Sequence, residues 1–153
     1  MPRLFNSLRR FLVNTDGAGS ILNLYILATM AVLLGIGLDS TNGWRNKTFL
    51  SSVSDVGAHA GAVAIANGLS EKEIVQEVRR VVETNLPPAQ WGKVLDASAD
   101  VTLAKYDTET KKLVSASSGD HNAVVVKVER SQARGNPIST FLLRFVGVSS
   151  MDG

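Results

Sequence analysis

The chain has 153 residues, no cysteine and a net charge of +2. That charge comes from Arg3, Arg9 and Arg10 set against Asp16, and the remaining 13 basic and 13 acidic side chains balance. The balance excludes the clustered basic face that nucleic acid requires. The missing cysteines exclude a disulfide framework, so any exported domain must be held by its own core or by partners.

Residues 1–19 read as a cytoplasmic basic tail. Ile21 to Leu38 is an uninterrupted apolar run, closed by Asp39, in which only Asn23 and Thr29 are strongly polar. At ~1.5 Å rise per residue the run spans ~27 Å as a helix, close to a ~30 Å hydrocarbon core. Residues 20–38 are therefore expected to form a transmembrane helix. Arg3, Arg9 and Arg10 resist translocation, which puts the N-terminus in the cytoplasm and residues 39–153 outside it. The run is longer than a signal-peptide core, and Leu38-Asp39-Ser40 is no small-x-small cleavage site. Asn23 lies three residues past Ser20, near enough to the interface to be hydrated.

From Asp39 to Asn67 the helix is expected to continue, without proline. Trp44, Arg45 and Lys47 suit the membrane interface. Val56, Ala60, Val63 and Ala64 repeat at helical spacing. Around them Gly57, Ala60, Gly61 and Ala64 form a small-residue surface for close helix packing, either on the chain's own domain or on another molecule. Gly68 ends the helix. Ser70 with Glu73 makes a capping box, and Leu69 with Ile74 fits a hydrophobic staple. Ile74, Val75, Val78, Val81 and Val82 then form the apolar stripe of a second helix, stopped by Asn85 and Pro87-Pro88. Pro88 to Trp91 fits one short turn.

After Val94 the period changes to two. Val101 to Tyr106 and Leu113-Val114 read as strands. Ala123 to Arg130 is the clearest strand, with Val124, Val126 and Val128 on one face. Asn136 and Pro137 suit a helix start, with Phe141, Leu142 and Phe145 as the apolar face of a short final helix or turn. The expected fold is α+β: a transmembrane helix extending into a long helix, a second amphipathic helix, and an antiparallel meander of about three strands. The second helix, or the outer end of the long one, would cover the sheet.

Candidate chemistry is sparse. His59 and His121 are the only histidines. Ser118, Asp120 and His121 are sequence neighbours, which rarely orient as a triad. Asp96-Ala97-Ser98-Ala99-Asp100 offers lone carboxylates beside a strand, and zinc would need more ligands. No catalytic residue, cofactor or metal is expected.

The order of parts resembles the TadE/TadG-like family of Flp (tight adherence, type IVc) pilus assembly proteins, its TadG-like branch above all. The residues that carry this are Arg9-Arg10-Phe11-Leu12, Asp16-Gly17-Ala18, Gly35-Ile36-Gly37-Leu38-Asp39, Val53 to Ala62, Asn122 to Val128, and Asn136-Pro137-Ile138 through Phe141. The resemblance implies a single-pass bacterial inner-membrane protein with a periplasmic domain, a structural or assembly component of a Flp pilus. Its partners would be other pilus-assembly or pilin proteins and the lipid bilayer, with the N-terminal helix as the route to any oligomer. Leu22 and Leu24 stand where a processed pilin of this class carries glutamate, so a retained anchor is expected. The von Willebrand A-like metal domain of long relatives has no room here, and the chain reads as a short member or a fragment. The alternative is a membrane-tethered periplasmic binding or sensor module, although about seventeen residues before the span leave no cytoplasmic output domain.

Overall fold

A computed structural model describes residues 16–153. Arg3, Arg9 and Arg10, which carry the orientation reading, lie outside the described residues. Helix α1 runs unbroken from Asp16–Ala66, 51 residues, and is ~77 Å long at ~1.5 Å per residue. Among the described residues it is the one helix long and apolar enough to cross a membrane. Ile21, Leu22, Leu24, Leu27, Leu33 and Leu34 are all exposed. A bare apolar cylinder of this size is suited to lipid rather than water. The Thr29 hydroxyl donates to the Tyr25 carbonyl at 2.8 Å, so it is satisfied within the helix.

Helix α1 stops as its sequence dictates. Gly68 takes φ +73°, its N–H donates to the Ile65 carbonyl, and the Leu69 N–H reaches back to Ala64. Helix α2 (Glu71–Asn85) then runs antiparallel down α1. Its capping box is formed: Glu73 accepts from the Ser70 N–H at 2.9 Å and the Ser70 hydroxyl at 2.6 Å. Ile74, Val78 and Val82 are buried. Leu86 caps the helix before the short α3 (Pro88–Trp91).

Three strands, β1 (Val101–Asp107), β2 (Lys112–Ser115) and β3 (Ala123–Val126), make an antiparallel sheet in the order β2-β1-β3. The expected meander is corrected, since β3 pairs with β1 and not with β2. The seven residues of β1 serve two partners. Its second half pairs with β2 from Ala104↔Ser115 to Asp107↔Lys112, and its first half with β3 from Val101↔Val126 to Ala104↔Ala123. This places the β3 valines on the edge nearest α1. The sheet accordingly rests on α1 more than on α2.

The helix start expected at Asn136 and Pro137 is also corrected. Asn136 is buried and caps no helix, because its side-chain amide donates to the Trp91 and Lys93 carbonyls instead. Pro137 leads into β4 (Ile138–Ser139), which pairs antiparallel with β5 (Ser150–Met151). Between them lies a 3-10 turn, Leu143–Val146.

One core joins Leu50 and Val53 of α1, Val78, Val82 and Leu86, and Val94, Leu95 and Val101, with Val124, Val126 and Val128 packed against it. It closes over α1 because Gly57 and Gly61 lack side chains. A Cβ at Gly61 would sit 2.9 Å from Val78 Cγ2 and 3.0 Å from Val124 Cγ2. Gly61→Val is expected to cost ~1–3 kcal/mol by overpacking, read by chemical denaturation of the full chain in detergent. The exposed change Val125→Thr should stay within ~0.5 kcal/mol.

Candidate functional site

The surface that organises the molecule is one stripe of α1. Gly35, Asp39, Gly43, Asn46, Leu50, Val53, Gly57, Gly61 and Ala64 recur every three or four residues, so they share one side of the helix. Most of those outside the central core meet a defined partner. At the distal end Gly61 and Gly57 face α2 and β3. The Ser54 hydroxyl, at the stripe's edge, donates to the Val126 carbonyl at 2.5 Å. Leu50 lies under Gly153 and Ile138, and Gly43 faces the Met151 methyl group. The chain beyond β3 therefore descends along α1 toward the apolar run.

Arg130 fastens the middle of this descent. Its guanidinium donates to the Asn136 carbonyl at 2.9 Å, to Pro137 at 3.0 Å and to Asn46 Oδ1 at 3.4 Å. It also lies over the Trp91 ring at 5.6 Å, and Trp91 in turn contacts Phe49.

The lowest polar contact of the stripe is Asp39, the first charged residue after the apolar run. It is 1% exposed. Its carboxylate accepts from three successive backbone N–H groups, those of Phe141 at 2.7 Å, Leu142 at 2.9 Å and Leu143 at 2.6 Å. These amides open the 3-10 turn, where they would otherwise lack partners. One turn deeper, a Cβ at Gly35 would meet Leu142 Cβ at 2.8 Å, so only glycine admits this approach.

A second polar cluster holds the sheet's inner end. Arg134 grips Asp100 with two hydrogen bonds, 2.7 and 2.8 Å, and lies 2.9 Å from Glu129 Oε1. Burial pushes the Asp100 carboxyl up, but the Arg134 hydrogen bonds and the Asp96 N–H outweigh it and hold Asp100 below the ordinary carboxylate range.

The small residues singled out in the sequence have a definite place. Gly57, Gly61 and Ala64 are buried and Ala60 is half-buried at the stripe's edge. The contacts of Gly57 and Gly61 are within the chain. The opposite side of α1, with Thr48, Ser52, Asp55, His59 and Ala62, is exposed. Ser118 and His121 both meet the Glu71 carboxylate, while Asp120 turns to Lys105. Ser118 donates to Glu71 at 2.8 Å, Asp120 pairs with Lys105 at 2.7 Å, and His121 Nδ1 lies 3.8 Å from Glu71. Glu71, Ser118 and His121 border a groove of about 680 Å³ between α2 and the sheet. Asp96 is engaged by Lys93 and Ser98 and Asp100 by Arg134; among the described residues no group of three or more His, Asp or Glu could hold a metal ion.

Sequence reasoning missed Asp39, Asn136 and Arg134. For Asp39 a signal existed. Gly35, Asp39, Gly43 and Asn46 keep helical spacing across the end of the apolar run, but as small and polar residues, which apolar periodicity does not register. Compared with protein-family models, curated proteins and solved structures, the chain matches none.

Two outcomes are expected. Backbone amides 141–143 exchange slowly in the wild type, and Asp39→Leu removes that protection, as read by hydrogen–deuterium exchange. Because its folded pKa is lowered, the stability that Asp100 contributes is intact above pH ~4 and is lost as the pH falls through the folded value. Asp100→Asn should cost ~1.5–3 kcal/mol at pH 7 and flatten the acid limb of the stability profile, measured by denaturation against pH.

Proposed function

We propose that this chain is a membrane-anchored structural and assembly component of a Flp-type (Tad) pilus, acting by helix packing and protein contacts and not by catalysis. The observation that carries this is the continuity of α1. One unbroken helix is bare and apolar over its first half and bears a folded domain along one stripe of its second. Such a part positions a domain at a fixed height above a bilayer. The block-by-block likeness to TadE/TadG-like proteins supports the choice of apparatus. On this reading α1 crosses the bacterial inner membrane once, the basic N-terminus is cytoplasmic and the domain is periplasmic. Its partners are other pilus-assembly or pilin proteins. The exposed side of α1 around Ser52, Asp55, His59 and Ala62 is the surface left for another helix, because the glycine side is covered by the chain's own domain.

The groove bordered by Glu71, Val75, Ser118 and His121 favours a second reading, a membrane-tethered binding module. Substitutions distinguish the two. Ala62→Trp on the bare side of α1 should abolish surface pili and adhesion at unchanged protein level, whereas Val75→Trp in the groove should not. A deletion strain with normal pili and normal adhesion would overturn the pilus role. Orientation is checked with Glu109→Cys, which should react with a membrane-impermeant maleimide in cells with a permeabilised outer membrane. Labelling only after inner-membrane lysis would reverse the topology.

A further inference from the structure

The connection between β4 and β5 is a hairpin tip that hangs down the side of α1. Three contacts fix its depth. Ile138 lies against Gly153 near Leu50, Met151 lies against Gly43, and Leu142 lies against Gly35. From Leu50 to Gly35 is ~22 Å of helix at ~1.5 Å per residue. Gly35 lies inside the apolar run, three residues before its end at Leu38. The tip thus occupies the same level as the last turn of the membrane-spanning segment, and the Asp39 carboxylate holds it there through three backbone N–H groups.

The tip's composition fits that level. Residues 140–148 read Thr-Phe-Leu-Leu-Arg-Phe-Val-Gly-Val, without an acidic side chain. Phe141 is 65% exposed and Phe145 76%, and Val148 is also exposed. Arg144 bridges the two rings, with its guanidinium carbon 5.7 Å from the Phe141 centroid and 5.3 Å from that of Phe145. Two bare aromatic rings with a cation between them would be costly in water. At a bilayer surface the rings enter the boundary between headgroups and acyl chains, while the guanidinium meets lipid phosphate. Ile36 and Leu38, which neighbour Gly35 and Asp39 in the sequence of α1, are exposed apolar side chains too.

We infer that the 140–148 tip is a second membrane contact, in which Phe141 and Phe145 insert into the outer interfacial layer of a phospholipid bilayer and Arg144 pairs with its phosphates. The inference rests on the membrane-anchor reading of α1. The domain is then held at two points, the span and the tip.

The absence of native cysteine makes the test direct. Full-length Phe145→Cys is spin-labelled and reconstituted in vesicles of phosphatidylethanolamine and phosphatidylglycerol. Collision with oxygen and with a water-soluble nickel chelate is read by electron paramagnetic resonance. The label at 145 should be severalfold less accessible to nickel than one at Glu109→Cys on the β1–β2 turn, and shallower than one at Leu27→Cys. A label at 145 as open to nickel as the label at 109 overturns the inference, and so does a label shielded from both nickel and oxygen, which is the result when a protein covers the tip instead. The label at 27 then separates the two readings: if it lies in lipid, only the tip contact fails, and if it lies in water, the anchor reading fails with it. Phe141→Cys serves as the second probe should the first variant not fold.

Discussion

A single helix here carries two different surfaces, and the structure follows from how it does so. Over its first half α1 presents apolar side chains in every direction, as a lipid environment requires. Over its second half it retains one stripe for the domain and exposes the rest. The stripe is narrow, because beyond the apolar run large apolar side chains of α1 such as Val56 and Val63 stay exposed and few, Leu50 and Val53, are buried. Glycine and alanine solve this by bringing the α2 and β3 valines close to the backbone, so that burial is supplied by the partner elements. Polar residues in the same stripe, Asp39, Asn46 and Ser54, add directional bonds where apolar area is scarce.

The domain is accordingly wrapped along a rod and not built around a central sheet. Helix α2 descends beside α1, and the chain from β3 onward descends along the same stripe. The three-stranded sheet is small, and β2 is exposed along its length. The sheet's stability is lent by α1 through β3, and the Arg134 cluster fixes its inner end.

Features set by local chemistry were legible in the sequence. The Ser70–Glu73 box, the Gly68 terminator and the Val124–Val126–Val128 alternation each depend on neighbours within a few residues. Features set by distant partners were not. Asp39 meets residues more than a hundred positions away, and no local pattern tells a boundary aspartate from a buried acceptor. Asn136 beside Pro137 reads as a helix cap because cap and turn chemistry use the same residues, and only the nearby Trp91 and Lys93 carbonyls decide between them. The strand order escaped because the length of β1 permits partners on both edges, and α1 selects which edge β3 takes.

The unbroken course of α1 has a mechanical consequence. With no proline or hinge between the apolar run and the domain, a force applied to the domain along the helix axis reaches the apolar run without slack. The stripe contacts run parallel to that axis over much of the helix, so such a force loads them together in shear and does not peel them one by one. A rotation of the apolar half of α1 about its own axis likewise turns the whole domain by the same angle.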